Sequence, residues 1–535
     1  MGQIIRGLLA LQAAEGWLPP ERLAELAAEL RVPLHRIESV STFYTHFLRQ
    51  RPAKKVVQAC RDLSCRIAGA AATTAALERF ASDRGDVEIR EVSCLGRCDR
   101  APAAVFGDRQ IDGTDLDALG AVLAQGSEEP TPRAVRAWPQ ADPYRASNLE
   151  PYAVLRAALA SEADAVIAGL EASGLRGMGG AGFPTGRKWS LVAAETAHPK
   201  HVICNADESE PGTFKDREIL HDLPHLVIEG MLLAAWCVGA ERGTIFIRHE
   251  YAPERHRLEH AIAEARAAGA LGKGLFGSGF DFDLQVFVSP GGYILGEETA
   301  LLECIEDRRG EPRNKPPFPG NVGLHGQPTL INNVETLVHA VGITHWGVDW
   351  WRARGREGFP GHKFISTSGD VERPGVELFA MGTPLREILE AHGGIKAGGE
   401  LLAVAPGGAS SNFLGPEVLE TPLDFEALTT AGSMLGSGAV VFVAEGSDLL
   451  DVGLSITRFF RNESCGKCVP CRVGTEKAVA MIEKAGGVSA EDEALLRSLD
   501  ETLAQTSICG LGQVALGPLL SILERFPDRI PRGPS

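Results

Sequence analysis

Three cysteines stand at even spacing, Cys465, Cys468 and Cys471, and a fourth, Cys509, follows far downstream. Three thiolates on one loop plus one from elsewhere can close a four-iron cube, a 4Fe-4S cluster, so the last part of the chain must fold back on itself. Zinc also accepts a C-x2-C pair, but it favours two separated pairs over three in a row. Ile508-Cys509-Gly510 sets the fourth sulfur on a turn, where backbone N–H groups can bond cluster sulfides. A second set pairs Cys60 with Cys65 and Cys94 with Cys98, each pair at the end of an expected strand. Four thiolates on two loops suit a 2Fe-2S cluster, although the spacing differs from the plant ferredoxin order and leaves zinc or unligated thiols open. Of the 11 cysteines, Cys204, Cys237 and Cys304 remain, in apolar text that predicts packing residues.

So many unpaired thiols fit a reducing compartment, and the first residues lack the basic stretch and cleavage site of a secretory signal, so the expected location is cytoplasmic. No apolar run is long enough to cross a membrane. Lys plus Arg is 53 against 70 Asp plus Glu, a net charge of −17, which excludes a general nucleic-acid binder. The 61 glycines and only 6% aromatic residues point to close backbone approach to a bound nucleotide or flavin.

At 535 residues the chain holds several domains, and its text predicts a multidomain α/β protein. Residues 1–50 read as a helical lead-in, and 51–125 as a small domain in which strands alternate with a helix. Residues 126–148 are polar and proline-containing, as a linker would be. The stretch 149–355 alternates helical patterns with apolar runs such as HVICNAD and DLQVFVS, giving an α/β domain. Residues 356–445 are glycine-rich β text with one helix, a β-grasp-like domain, and 446–535 is helical, with Ser489 and Asp492 as a capping box.

The segment GLRGMGGAGFPTGRKW, 174–189, matches G-x-G-x-x-G at Gly177, Gly179 and Gly182, yet helical text precedes it where a dinucleotide fold needs a strand. It also fails as a P-loop, because Trp189 follows Lys188 where Ser or Thr is required. What remains is a glycine loop whose N–H groups can approach an anionic cofactor, with Lys188 beside it. The run CNADESEPGTFKDRE, 204–218, places Asn205, Asp207, Glu208 and Glu210 after an expected strand, where α/β sheets put ligands and where hydroxyl-rich chains find acceptors; a solvated acidic loop is the plainer reading.

These blocks, together with GYILGEETALLE, RNKPPFPGNVGLHGQPTLINNVETL and ESCGKCVPCRVGT in the same order, resemble the flavin-bearing, NADH-binding subunit of respiratory complex I and its soluble relatives. Residues 3–125 resemble the neighbouring thioredoxin-like 2Fe-2S subunit, so two modules are fused. The resemblance implies a thioredoxin-like ferredoxin domain, an FMN- and NAD-binding domain, a β-grasp domain of the SLBB type and a 4Fe-4S helical domain. It implies FMN held by Gly177, Gly179, Lys188, Asn205, Asp207, Glu208, Tyr293, Gly296, Glu297, Asn332, Asn333 and Thr336. NAD would lie near Phe183, Glu210, Glu298 and Phe318, with no side chain acting as nucleophile or acid–base catalyst. The family commonly has Arg at the position of Met178 and Cys at that of Leu295, so the glycine loop here is one cation poorer. Fusion is similar to the diaphorase subunits of NAD-linked formate dehydrogenases and hydrogenases. RHEYAPER, PGGASSNFL and SICGLGQVALGPLLSILERFPD resemble the former, implying a molybdenum or tungsten pterin catalytic subunit as partner, with a small 2Fe-2S subunit in addition. The rival expectations are a hydrogenase or complex I-like diaphorase and a flavin-less iron–sulfur scaffold.

Overall fold

The computed structural model describes residues 2–112, 114–126, 133–485, 487–531 and 533. The lead-in forms three helices, Gln3–Glu15, Pro20–Leu30 and Leu34–Ser41. The first has no capping side chain of its own; the Asp307 carboxylate, from far along the chain, accepts from the N–H groups of Ile4 at 3.0 Å and Ile5 at 2.9 Å. A carboxylate there satisfies orphan donors and meets the positive end of the helix dipole. The Tyr44 hydroxyl donates to the Arg308 carbonyl at 2.6 Å, and Ile4, Ile5 and Leu8 share a core with Phe287 and Ile305. The lead-in is therefore packed on the central domain.

Strands β1 (Lys55–Cys60) and β2 (Val87–Val92) pair in parallel across the helix Ala70–Ser82, while β3 (Ala103–Phe106) and β4 (Arg109–Asp112) add antiparallel in the order β2-β1-β3-β4. This is the thioredoxin-like arrangement expected of residues 51–125. Of the expected linker 126–148, residues 127–132 lie outside the described residues. The remainder is a strap: Trp138 is buried and donates from Nε1 to Asp222 at 2.9 Å, and Arg136 donates to the Val376 carbonyl at 2.8 Å.

The central sheet holds β5 (His201–Ala206), β6 (Arg242–Arg248), β7 (Asp283–Ser289) and β8 (Thr329–Asn333), all parallel, in the order β7-β6-β5-β8. A parallel sheet is covered on both faces, which is why β5 reads as a nearly unbroken apolar run. From β5 the chain steps outward to β6 and β7 and then returns to the other flank as β8. The carboxyl ends of β5 and β8 thus flank a topological switch point, where open α/β sheets bind ligands.

In the third sheet β9 (His362–Gly369) and β12 (Ala439–Ala444) run parallel in the middle, with β10 (Gly375–Ala380) and β11 (Leu401–Ala405) antiparallel outside them. With the helix Leu385–Ala391 this is a β-grasp connection. The C-terminal part is helical: Leu449–Glu463, Val469–Ala485, Ala490–Thr506, Gly510–Val514 and Gly517–Arg525. Ser489 caps the third of these in the expected reciprocal box with Asp492. Among the described residues no helix is long and apolar enough to cross a membrane.

Candidate functional site

A cleft of about 340 Å³ opens over the carboxyl ends of β5 and β8. Five regions of sequence meet there: the glycine loop through Gly179 and Gly180, the run after β5 through Asp207 to Asp216, the turn Tyr293–Gly296, and two contributions from outside the α/β domain. Ser410, Gly436 and Ser437 come from the β-grasp domain, and Gly510, Leu511 and Val514 from the C-terminal helices. The glycine loop follows the helix Ala163–Ser173 and leads into the helix Thr185–Ala193, so it is not a strand-to-helix dinucleotide turn. Its glycines serve close approach: a Cβ on Gly179 would sit 3.0 Å from Cβ of Asn333.

Of the residues that the resemblance implies for FMN, Gly179, Asn205, Asp207, Glu208, Tyr293, Gly296, Glu297 and Asn333 line this cleft, and so does Glu210. Gly177 closes the glycine loop, its N–H donating to the Phe183 carbonyl at 2.9 Å. Asn332 and Thr336 are buried beside the cleft, their side-chain oxygens accepting from Trp189 Nε1 and Met178 N, both at 2.9 Å. Lys188 donates to the Ile331 carbonyl at 2.8 Å and pairs with Glu298 at 3.3 Å; Lys315 joins the same carboxylate at 2.8 Å. Phe183 and Phe318 stand at the surface, 46% and 55% exposed, as aromatic faces open to a ligand outside the cleft.

The cleft is electrostatically unusual. Burial pushes the Asp207 carboxyl up to about 7 and Glu210 up to about 7, against Arg248 at the first and donors from Ser410 at the second. Glu208 rises to about 8 through burial and the neighbouring Asp216, although it accepts from the N–H groups of Asp216 and Arg217. Lys215 is fully buried, yet Asp216 and Glu335 outweigh its desolvation and hold it charged, above the ordinary lysine range. Asp207 Oδ1 is buried without a hydrogen-bond partner. An orphaned acidic oxygen, a buried ammonium and a glycine edge together fit a ligand with both polar ring atoms and an anionic tail, as FMN has.

The four N-terminal thiols are all buried, and Cys94 Sγ lies 3.6 Å from Cys98 Sγ. Backbone N–H groups of Gly96, Ala103 and Gly212 each approach a sulfur at 3.4 Å. Gly212 belongs to the same run that lines the cleft, so one loop joins Cys98 to the cleft. At the other end Cys465 and Cys468 lie on the loop between the helices Leu449–Glu463 and Val469–Ala485, Cys471 stands in the first turn of the second, and Cys509 occupies the N-cap position of the helix Gly510–Val514. Leu511 also lines the cleft. Cys204, Cys237 and Cys304 are buried, as packing residues should be.

Sequence reasoning passed over Lys215, Ser410, Ser437 and Glu463. Lys215 lies within the run CNADESEPGTFKDRE, but as one lysine among acidic residues it carries no signal of its own. The serines have no spacing signal either, because only the docking of the β-grasp domain brings them to the cleft. Glu463 accepts from Ser93 Oγ at 2.5 Å and from Tyr293 N at 2.7 Å, joining the neighbours of Cys94, the cleft and Cys465.

Comparison with known proteins agrees with this geometry. Residues 170–341 match the Nuo51 FMN-binding domain, 1–126 the thioredoxin-like 2Fe-2S ferredoxin, and 451–532 the NADH-ubiquinone oxidoreductase-F iron-sulfur binding region. Both cysteine sets therefore belong to iron–sulfur domains, which answers the zinc alternative. An NADH-quinone oxidoreductase subunit of Mycobacterium bovis is 42% identical over 422 residues, 78% of this chain and 94% of that one. A second NADH-quinone oxidoreductase subunit, from Rhizobium meliloti, is 44% identical over 379 residues, 70% of this chain and 90% of that one. A crystal structure of an NAD+-reducing NiFe hydrogenase in the H2-reduced state superposes with a TM-score of 0.87 at 32% identity, covering 98% of this chain and 92% of that one.

Proposed function

This chain belongs to the family of NADH-quinone oxidoreductase subunits that carry the Nuo51 FMN-binding domain, with a 2Fe-2S ferredoxin module fused ahead of it, and on that footing we propose that it is the diaphorase subunit of an NAD-dependent formate dehydrogenase complex. The observation that carries the diaphorase reading is the cleft's position: one wall reaches Cys98 through Gly212, the other carries Cys509 at the start of the helix Gly510–Val514. Bound FMN would exchange a hydride with NAD(H) and single electrons with the clusters.

The chain's own residues bind, orient and insulate. Lys215 supplies a fixed positive charge, Asn205 and Asn333 supply amide groups at the sheet's edge, and Ser410 holds the Glu210 carboxyl through its N–H at 2.8 Å. Burial raises the Asp207, Glu208 and Glu210 carboxyls toward neutrality, which lowers the negative charge that an anionic ligand meets in the cleft. Phe183, Phe318 and Glu298, the last paired with Lys315, form an outer rim for the dinucleotide, while Lys188, held to the Ile331 carbonyl and to the same carboxylate, supplies a cation for the flavin. No acid–base pair is required of the protein, since hydride passes between two bound rings.

The formate reading rests on the blocks RHEYAPER, PGGASSNFL and SICGLGQVALGPLLSILERFPD, and it assigns formate oxidation to a separate molybdenum or tungsten pterin subunit. A hydrogenase partner is the second reading, favoured by the likeness along nearly the whole chain to an NAD+-reducing hydrogenase structure. Purification of the native complex separates them: formate-dependent NAD+ reduction with a co-eluting pterin subunit supports the first, and hydrogen-dependent reduction with a nickel-containing subunit replaces it with the second. Acid release of a yellow, FMN-like cofactor is expected in both cases. Its absence, with clusters intact, would leave an iron–sulfur scaffold.

A further inference from the structure

Met178, between Gly177 and Gly179 of the glycine loop, is pinned at both of its peptide groups. Its N–H donates to Thr336 Oγ1 at 2.9 Å, and its carbonyl accepts from Lys363 Nζ at 3.0 Å. Lys363 belongs to β9 of the β-grasp domain and has no exposed surface, a costly place for an ammonium group unless it has a task. The Met178–Gly179 peptide is trans, since the cis bonds among the described residues all precede prolines. In a planar trans peptide the N–H points opposite to the C=O. A carbonyl held inward on Lys363 therefore turns the Gly179 N–H outward, and Gly179 lines the cleft. Among the described residues that N–H has no protein acceptor.

The same ammonium group has a second contact. Lys363 Nζ lies 3.0 Å from Glu335 Oε2, the oxygen that also pairs with Lys215 Nζ at 2.9 Å. Glu335 is locked in turn by the Phe364 N–H at 2.8 Å and by His339 at 3.2 Å. One buried carboxylate thus couples a cation behind the glycine loop to a cation inside the cleft. The loop itself carries methionine at this point, and Lys363 reaches its Sδ at 3.8 Å, so the charge behind the loop arrives from another domain.

We propose that Lys363 is a positioning residue for the flavin: by holding the Met178 carbonyl inward it aims the Gly179 N–H into the cleft, and through Glu335 it sets Lys215. The β-grasp domain thereby completes a binding edge whose ligand contacts lie on other segments. This rests on the reading of the cleft as the FMN site. Removing one partner of a buried ion pair is destabilising, and here Lys215 still pairs with Glu335 and moderates that cost, so ligand affinity has to be read separately from stability.

The test uses the full chain with both clusters loaded. Lys363→Met is expected to weaken FMN binding about tenfold, as loss of an aimed donor would, with both cluster EPR signals kept and the melting temperature lowered. Lys363→Gln, whose amide can still donate to Met178, is expected to restore most of the affinity. FMN added to the wild-type protein is expected to slow hydrogen exchange at the Gly179 amide, a readout that does not depend on any variant folding. The proposal is overturned if Lys363→Met binds FMN within twofold of wild type, if the glutamine variant is as weak as the methionine one, or if the Gly179 amide exchanges at the same rate with and without FMN. Failure of the wild-type chain to bind FMN at all would instead overturn the reading of the cleft, and this proposal with it.

Discussion

The two cluster regions are built on opposite plans. In the thioredoxin-like domain all four thiols are buried, and the sulfur of Cys98 receives its N–H from Gly212 of another domain. In the C-terminal domain only Cys471 is buried, Cys465, Cys468 and Cys509 are partly open, and Val469, Val473 and Ile508 expose apolar surface nearby. A cluster sealed against the cleft suits exchange within the chain, whereas one near an apolar surface suits contact with a second protein. Burial therefore separates the two sets: one is enclosed within the chain, and the other lies beside exposed apolar side chains.

The largest effect that could overturn this contrast is on partner-linked turnover. Cys468→Ser should remove the 4Fe-4S EPR signal and lower NAD+ reduction driven by the catalytic partner on the order of 100-fold, while Cys60→Ser, which removes the 2Fe-2S signal, should lower it far less. Equal losses would mean that both clusters lie on the obligatory path. A smaller but more direct contrast is chemical: ferricyanide with chelator should bleach the C-terminal cluster several times faster than the N-terminal one, followed by EPR. If the buried cluster goes first, burial is not what protects it.

Two substitutions refine the picture on the stability side. Gly212 has a φ of +97°, and a Cβ there would lie 2.8 Å from Val441 Cγ2. Gly212→Ala should therefore cost about 1–3 kcal/mol, read by denaturant unfolding, and perturb the 2Fe-2S spectrum more than the 4Fe-4S one. Ser489→Ala removes a capping box from the helix Ala490–Thr506 and should cost about 1 kcal/mol, confined to the C-terminal domain, with the 2Fe-2S spectrum untouched.

Much of the layout was legible in the sequence because it rests on short-range rules. Periodicity located the helical ends and the β-grasp text, and the capping box at Ser489 declared itself by spacing. The rejection of a dinucleotide turn at Gly177 also followed from local text, and the helix Ala163–Ser173 ahead of it accords with that reasoning. What was not legible arises from docking between distant segments. Asp307 caps a helix some 300 positions away, Ser410 and Leu511 reach a cleft in another domain, and the supposed linker buries Trp138 against Asp222. Lys363 shows the limit most plainly, since a lone lysine in β text carries no hint that its ammonium group ends under a glycine loop. Such contacts depend on three-dimensional closure, for which a linear string offers no period or spacing to read.

The grip of Asp307 on the first helix has one more consequence. In a complex of separate subunits, a ferredoxin module leaves its flavoprotein whenever dilution drops below their dissociation constant. Here covalent connection and a docked lead-in keep the module's local concentration high whatever the protein's abundance, so the pair stays in one-to-one ratio through synthesis, repair and turnover.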